Sequence, residues 1–248
     1  MSSWFKCNKL SLNIDKTCSI HFKTPQSQSR CKNIFIDDVP IVQKESTKFL
    51  GVTLDSNLSW SEQTRKITTT LSKVIGILCK LKHILPQKSL IMLYNALVLP
   101  HINYCNIVWA NCNQTKLNAI FLLQKRALRL CTNSHYLSHT DPLFKQLKTL
   151  KVHDIHTYQA VIFMYKCTQN LLPLFQNTFQ FNRDIHSYPT RHRNDFHLNN
   201  PKLLVAHRFI RYHGPDVWNS LPVQIKSCTS LFAFKSLLKK HLLLQYDK

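Results

Sequence analysis

Hydrophobic and polar residues follow two rhythms along this chain, and the change falls near residue 58. Before it the period is short. In residues 17–23, Cys18, Ile20 and Phe22 fall on one side and Thr17, Ser19 and His21 on the other, the pattern of a half-buried strand. Upstream, residues 3–13 read as the end of a helix and a turn, and 24–30 as a polar loop. Residues 33–36 and 39–41 predict short strands joined through Asp37-Asp38, a two-residue hairpin turn. Residues 48–55 predict another strand, with Gly51 inside it marking a bulge or a close backbone approach.

From Ser59 the rhythm becomes helical. Ser59-Trp60-Ser61-Glu62 has the form of a capping box, and Ile67, Leu71, Val74, Ile75, Leu78 and Leu81 then recur on one face. The opposite side carries Arg65, Lys66, Lys73, Lys80 and Lys82. Further helices are predicted over 87–99 and 115–131. In the latter, Leu117, Ile120, Phe121, Gln124, Leu128 and Leu130 lie near one face, and Lys125, Arg126 and Arg129 toward another. A helix starts near Asp141-Pro142, a long amphipathic one covers 151–170, and a last one lies within 227–245. Residues 171–202 have no period and read as a loop, and 208–225 as compact and irregular with Trp218 as an anchor. The fold class is therefore α+β, mainly α: a small hairpin region followed by helical bundles.

Composition sharpens this picture. Only three of 248 residues are glycine, which favours helices over tight β-architectures. Residues 89–115 hold no Lys, Arg, Asp or Glu, yet Pro100 and several Asn and His interrupt them; two buried segments about a turn are expected rather than a membrane span. Nine scattered cysteines without a C-x-x-C read as reduced thiols of an intracellular protein, and no secretory leader is expected at the start. Cys131, His135 and His139, with Cys112, match no zinc module. The charge is the strongest signal: 33 Lys+Arg against 12 Asp+Glu leave a formal net charge of +21. Such a surface attracts polyanions, nucleic acid first and anionic membrane second.

The order of short motifs adds a resemblance. "NKLSLNIDKT", "FLGVTLDSNLSW", "LYNALVLPHINYCNIVWA", "QKRALRL", "DPLFKQLKTLKV", "YPTR" and "WNSLP" together resemble the downstream part of a non-LTR (LINE-type) retrotransposon reverse transcriptase, over nearly the whole chain. The resemblance implies three regions: 1–58, a palm remnant; 59–131, a helical thumb; 132–248, a helical C-terminal extension. It implies that Lys16 lies near the incoming triphosphate and that Phe49, Leu50, Gly51 and Val52 form a primer-grip hairpin. It further implies that Arg65, Lys66, Lys73, Lys80, Lys82, Lys125, Arg126 and Arg129 face template–primer phosphates. Tyr188-Pro189-Thr190-Arg191-His192-Arg193 combines Arg191 and Arg193 with an aromatic residue, which suits single-stranded nucleic acid.

Phe35-Ile36-Asp37-Asp38 imitates a polymerase metal-binding motif. In the family, however, the paired aspartates precede the "NKLSLN" segment, whereas here they follow it, so Asp37-Asp38 is expected to be an ordinary turn. The expectation is a polymerase fragment, inactive alone, with no metal site or cofactor in this chain and magnesium implied only for the complete enzyme. Its partners would be an RNA template, RNA–DNA or DNA duplex and the missing palm and fingers, with no membrane; nuclear residence follows from the resemblance. A non-enzymatic basic nucleic-acid-binding protein and a decayed reading frame are the alternatives.

Overall fold

The computed structural model describes residues 2–24, 33–175, 177–186, 188, 190–202 and 206–247. Most of the predicted polar loop at 24–30, together with Cys31 and Pro189, lies outside the described residues. The described residues are 57% helix and 8% strand, so the chain is mainly helical with small sheets, in keeping with its rhythm. It forms two units, Met1–Lys66 and Ile67–Lys248.

In the first unit, α1 (Ser2–Cys7) is followed by a 3-10 turn, Ile14–Lys16, whose first amides are capped by Asn13: its side chain accepts from Lys16 N at 3.0 Å. The strands are short: β1 (Cys18–Ser19), β2 (Phe35–Ile36), β3 (Val39–Pro40), β4 (Val42–Gln43), β5 (Ser46–Phe49) and β6 (Val52–Asp55). They pair as three two-stranded sheets, β1 parallel to β4 and the other pairs antiparallel. The alternating stretch 17–23 thus supplies only a two-residue strand, because β4 offers it only two partners, Val42 and Gln43.

Asp37 (φ 48°) and Asp38 (φ 62°) occupy two left-handed positions in succession, as a type I′ hairpin turn requires, and aspartate tolerates that conformation better than most side chains. Leu50 (φ 44°) and Gly51 (φ 84°) do the same between β5 and β6. Residues 48–55 are therefore not one strand with a bulge but the two arms of a hairpin. The hairpin is fastened to the chain that follows. Thr53 N donates to Gln63 Oε1 at 2.9 Å, Ser46 Oγ to Glu62 Oε2 at 3.0 Å, and Lys66 Nζ to Thr53 Oγ1 at 2.7 Å. Asp55 accepts from the amides of Ser59 and Trp60, and α2 (Ser61–Leu81) begins two residues after the predicted cap.

The second unit holds most of α2 and all later helices: α3 (Gln87–Leu97), α4 (Leu99–Asn103), α5 (Asn106–Trp109), α6 (Gln114–Cys131), α7 (Asp141–Gln146), α8 (Val152–Thr168), α9 (Asn182–Ile185), α10 (Ile210–Asn219), α11 (Val223–Lys226) and α12 (Leu231–Leu244). Pro100 does not break the chain into a loop. It sits in the first turn of α4, where its missing N–H costs nothing, and Tyr94, Ile102 and Trp109 from this uncharged stretch enter the core. Among the described residues no helix is long and apolar enough to cross a membrane.

The core is built on α8, which packs against α5, α6, α10 and α12. It is not the one-faced amphipathic helix its sequence suggests; Val152, Ile155, Ala160, Val161, Met164 and Tyr165 are buried around it. Residues 210–219, expected to be irregular, are helical. Gly214 lies where an added Cβ would stand 2.7 Å from Sδ of the buried Met164, so the missing side chain lets α10 lie close against α8. The aperiodic region before it is pinned by an amide clamp: Phe196 N donates to Asn219 Oδ1 at 2.9 Å, and Asn219 Nδ2 to Phe196 O at 2.8 Å.

The helices are joined at depth by Gln124, which is fully buried on α6. Its Nε2 donates to Leu150 O (2.9 Å) and Tyr94 Oη (3.1 Å), and its Oε1 accepts from Val152 N (2.9 Å), the first amide of α8. Gln124→Leu keeps the volume but leaves these partners unsatisfied. We expect a loss of about 2–4 kcal/mol in urea unfolding; a loss of a few tenths would show that the network contributes little.

Candidate nucleic-acid interface

In the second unit, the end of α2, the outer side of α6 and the segment after α6 enclose a cleft of about 670 Å³. Its walls carry Lys82, Arg126 and Arg129, and among the described residues no Asp or Glu lines it. Arg126 and Arg129 stand three residues apart and so share a helix face, with Leu122 one turn before them. The floor includes Cys79 and Leu130.

The third wall exists because of the way α6 ends. Thr132 caps the helix, Asn133 adopts the left-handed conformation (φ 51°), Ser134 N donates to Arg129 O at 2.9 Å, and Asn133 N to Leu130 O at 3.4 Å. This is a Schellman turn with asparagine in place of the usual glycine. It turns residues 134–136 back over the helix end. Arg129 Nε holds the returning segment by donating to Ser138 O at 3.0 Å. The result presents Tyr136, 73% exposed, against His135, with ring centroids 4.6 Å apart.

The structure thus gathers three of the sequence-predicted cations and scatters the rest. Lys73 and Lys80 are on α2 outside the cleft, and both are exposed. Arg65 and Lys66 belong to the first unit, and Lys66 is engaged by Thr53. Lys125 points elsewhere, its Nζ lying 5.0 Å from the centroid of the Phe121 ring, which in turn stacks on Phe144. Arg191 and Arg193 are exposed near Tyr188, far along the chain, in a segment held by Asp195. Burial raises the Asp195 carboxyl, but hydrogen bonds from His192 and Lys226 outweigh it and hold the carboxyl below its usual range. Lys16 is exposed just before β1. Of the primer-grip candidates, Phe49 and Leu50 are 60% and 75% exposed, Gly51 forms the turn, and Val52 is buried.

Tyr136 and Leu122 carried no distinctive sequence signal. "NSHY" follows a helix end, but only the Schellman turn reveals that it folds back onto basic residues. Cys131 is enclosed in the core and its thiol donates to Leu90 O at 3.4 Å. A magnesium site of the polymerase type does not fit the residues present. Asp37 and Asp38 are the turn of the β2–β3 hairpin, and among the described residues no three His, Cys, Asp or Glu side chains gather to hold a metal ion.

The chain is 24% identical over 160 residues to a probable RNA-directed DNA polymerase from the transposon X-element of Drosophila melanogaster. The match covers 62% of this chain but 17% of that protein's length. No family model and no solved structure matches. The similarity supports a reverse-transcriptase relationship.

A second cavity of about 460 Å³ in the same unit is lined by four histidines, His153, His156, His207 and His213, with Arg208 and Asn111. The rings of His156 and His213 lie parallel, 5.5 Å apart. Burial, and secondarily the neighbouring His213, pushes the His156 pKa down to about 4, and burial lowers those of His213 and His153 too. His156 Nδ1 finds no hydrogen-bond partner among the described residues. As pH falls below the ordinary value of 6.5, the unfolded chain takes up a proton that folded His156 refuses until near 4, so stability declines across that window. The thermal midpoint should fall between these limits, and His156→Gln should flatten the decline by at most about 3 kcal/mol. An unchanged profile in the variant would place the pH sensitivity elsewhere.

Proposed function

We propose that this chain is the downstream fragment of a non-LTR-type reverse transcriptase and binds template–primer nucleic acid through its helical unit. The cleft carries the reading: Lys82, Arg126 and Arg129 converge, with no carboxylate lining the cleft among the described residues, in a chain of net charge +21. Cations in such an arrangement neutralise phosphates without regard to sequence. On this reading residues 59–131 act as a thumb, Lys73 and Lys80 extend the basic surface along α2, and the β5–β6 hairpin is the primer grip. Lys16 would stand near the nucleotide triphosphate.

The short strands of the first unit expose Phe35, Val42, Phe49 and Leu50, surface that further palm strands of a complete polymerase would cover. The matched relative's greater length leaves room for such a segment. The chain by itself is then a binding module rather than a polymerase, and its partners are RNA template and RNA–DNA or DNA duplex. A purely non-enzymatic nucleic-acid-binding role makes the same binding predictions and differs only in whether an upstream catalytic region is joined to it.

Affinity for an RNA–DNA hybrid, followed by fluorescence anisotropy, should fall steeply with salt. Replacing Lys73, Lys80 and Lys82 by Ala should reduce the log–log slope by roughly 0.9 for each phosphate no longer neutralised; an unchanged slope would remove the thumb assignment. With magnesium, primer–template and nucleotides the chain should extend nothing. Extension that Asp37→Ala abolishes would restore the aspartates as catalytic.

A further inference from the structure

The cleft differs from a plain phosphate-binding face in one respect: it places an aromatic side chain, open to solvent, at the edge of the cations. Tyr136 is 73% exposed and Leu137 beside it 70%, so the protein's own core does not account for either. The Tyr136 ring rests against His135, which fixes one of its sides. His135 is itself positioned, because its Nδ1 accepts from Leu137 N at 3.3 Å. The backbone beneath is set by the Schellman turn and by the Arg129–Ser138 hydrogen bond.

A cationic groove with an aromatic platform is the arrangement that holds unpaired nucleic acid: the cations follow the phosphates, and bases stack on the ring whatever their identity. Duplex phosphates can meet the cations but duplex bases leave the ring unused, because paired bases are already stacked and turn only their edges outward. The cleft's volume of about 670 Å³ suits a nucleotide or two, not the width of a double helix.

We propose, building on the nucleic-acid reading above, that this cleft binds an unpaired base of single-stranded nucleic acid. The base stacks on Tyr136, while Lys82 and Arg126 hold the adjoining phosphates. Arg129 is a positioning residue that keeps the platform in place through Ser138. Leu122, 61% exposed on the wall, offers an apolar edge to the base.

The experiment compares three labelled probes on the full chain: a short oligouridylate, a blunt RNA–DNA hybrid, and the same hybrid with an unpaired template extension. Tyr136→Ala should weaken the oligouridylate and the extended hybrid about ten-fold and leave the blunt hybrid unchanged, while Tyr136→Trp retains binding. Lys82→Ala with Arg126→Ala should weaken binding to the unpaired probes, since both residues contact phosphate. If Tyr136→Ala leaves all three probes alike, or weakens the blunt hybrid as much as the single strand, the stacking site is wrong while nucleic-acid binding stands. If the unaltered chain binds none of the probes, the reading beneath it fails as well. Tyr136 is largely exposed, so the variant should melt as the parent does; a lowered midpoint would count against the proposal by assigning Tyr136 a structural role.

Discussion

Gln124 is a polar residue on a face where its buried neighbours are mostly apolar, and the helical unit is organised around satisfying it. In the interior a lone amide would be costly, so its hydrogen-bonding groups must find partners. They find Tyr94 on α3, the carbonyl of Leu150 and the first amide of α8. The last of these is a helix-capping contact made by a residue far away in sequence. Burial raises the Tyr94 phenol to about 12, against the opposing hydrogen bonds from Gln124 and Thr149, so it remains a neutral partner. Apolar packing alone would let α6 and α8 slide or rotate; this network fixes their register, and with it the position of the outer face of α6.

That outer face lines the basic cleft. Because Gln124, Ala127, Leu128 and Cys131 are committed to the core, Leu122, Arg126 and Arg129 are turned outward by the helical period. Arg129 near the helix end also complements the negative end of the α6 dipole, a stabilising contribution it would make without any ligand. The segment after Asn133 then doubles back, so residues nine positions apart in sequence, Arg129 and Ser138, meet directly. Fold stability and a basic, aromatic-edged cleft arise from the same helix, read on opposite sides.

The two units differ in what supports them. The second holds most of the buried apolar side chains, with Tyr165 stacked on Phe234 and Phe234 on Trp218. Tyr246, in the turn after α12, hydrogen-bonds Asp154 and receives the amide of Lys151, closing the C-terminal turn onto the start of α8. The first unit buries few apolar side chains, among them Ile41, Val52 and Trp60, and relies on polar stitches from the β5–β6 hairpin to Glu62, Gln63 and Lys66. Short strands with open edges are marginal by themselves.

Local rules were legible in the sequence: the helical period of 61–81, 114–131 and 231–244, Pro142 in the first turn of α7, and aspartates at a hairpin turn. These depend on neighbours within a turn or two, and the chain's order records them. Net charge was equally fixed by composition. The errors occurred where a distant element set the outcome. Residues 208–225 read as irregular until α10 packs against α8; Gly51 reads as a bulge until β5 and β6 pair across it; residues 17–23 read as a strand until their partner proves two residues long. Which cations converge, and that Tyr136 joins Lys82, Arg126 and Arg129, was decided by tertiary structure alone. Periodicity assigns a residue to a face, but only the packing of whole helices determines what that face meets.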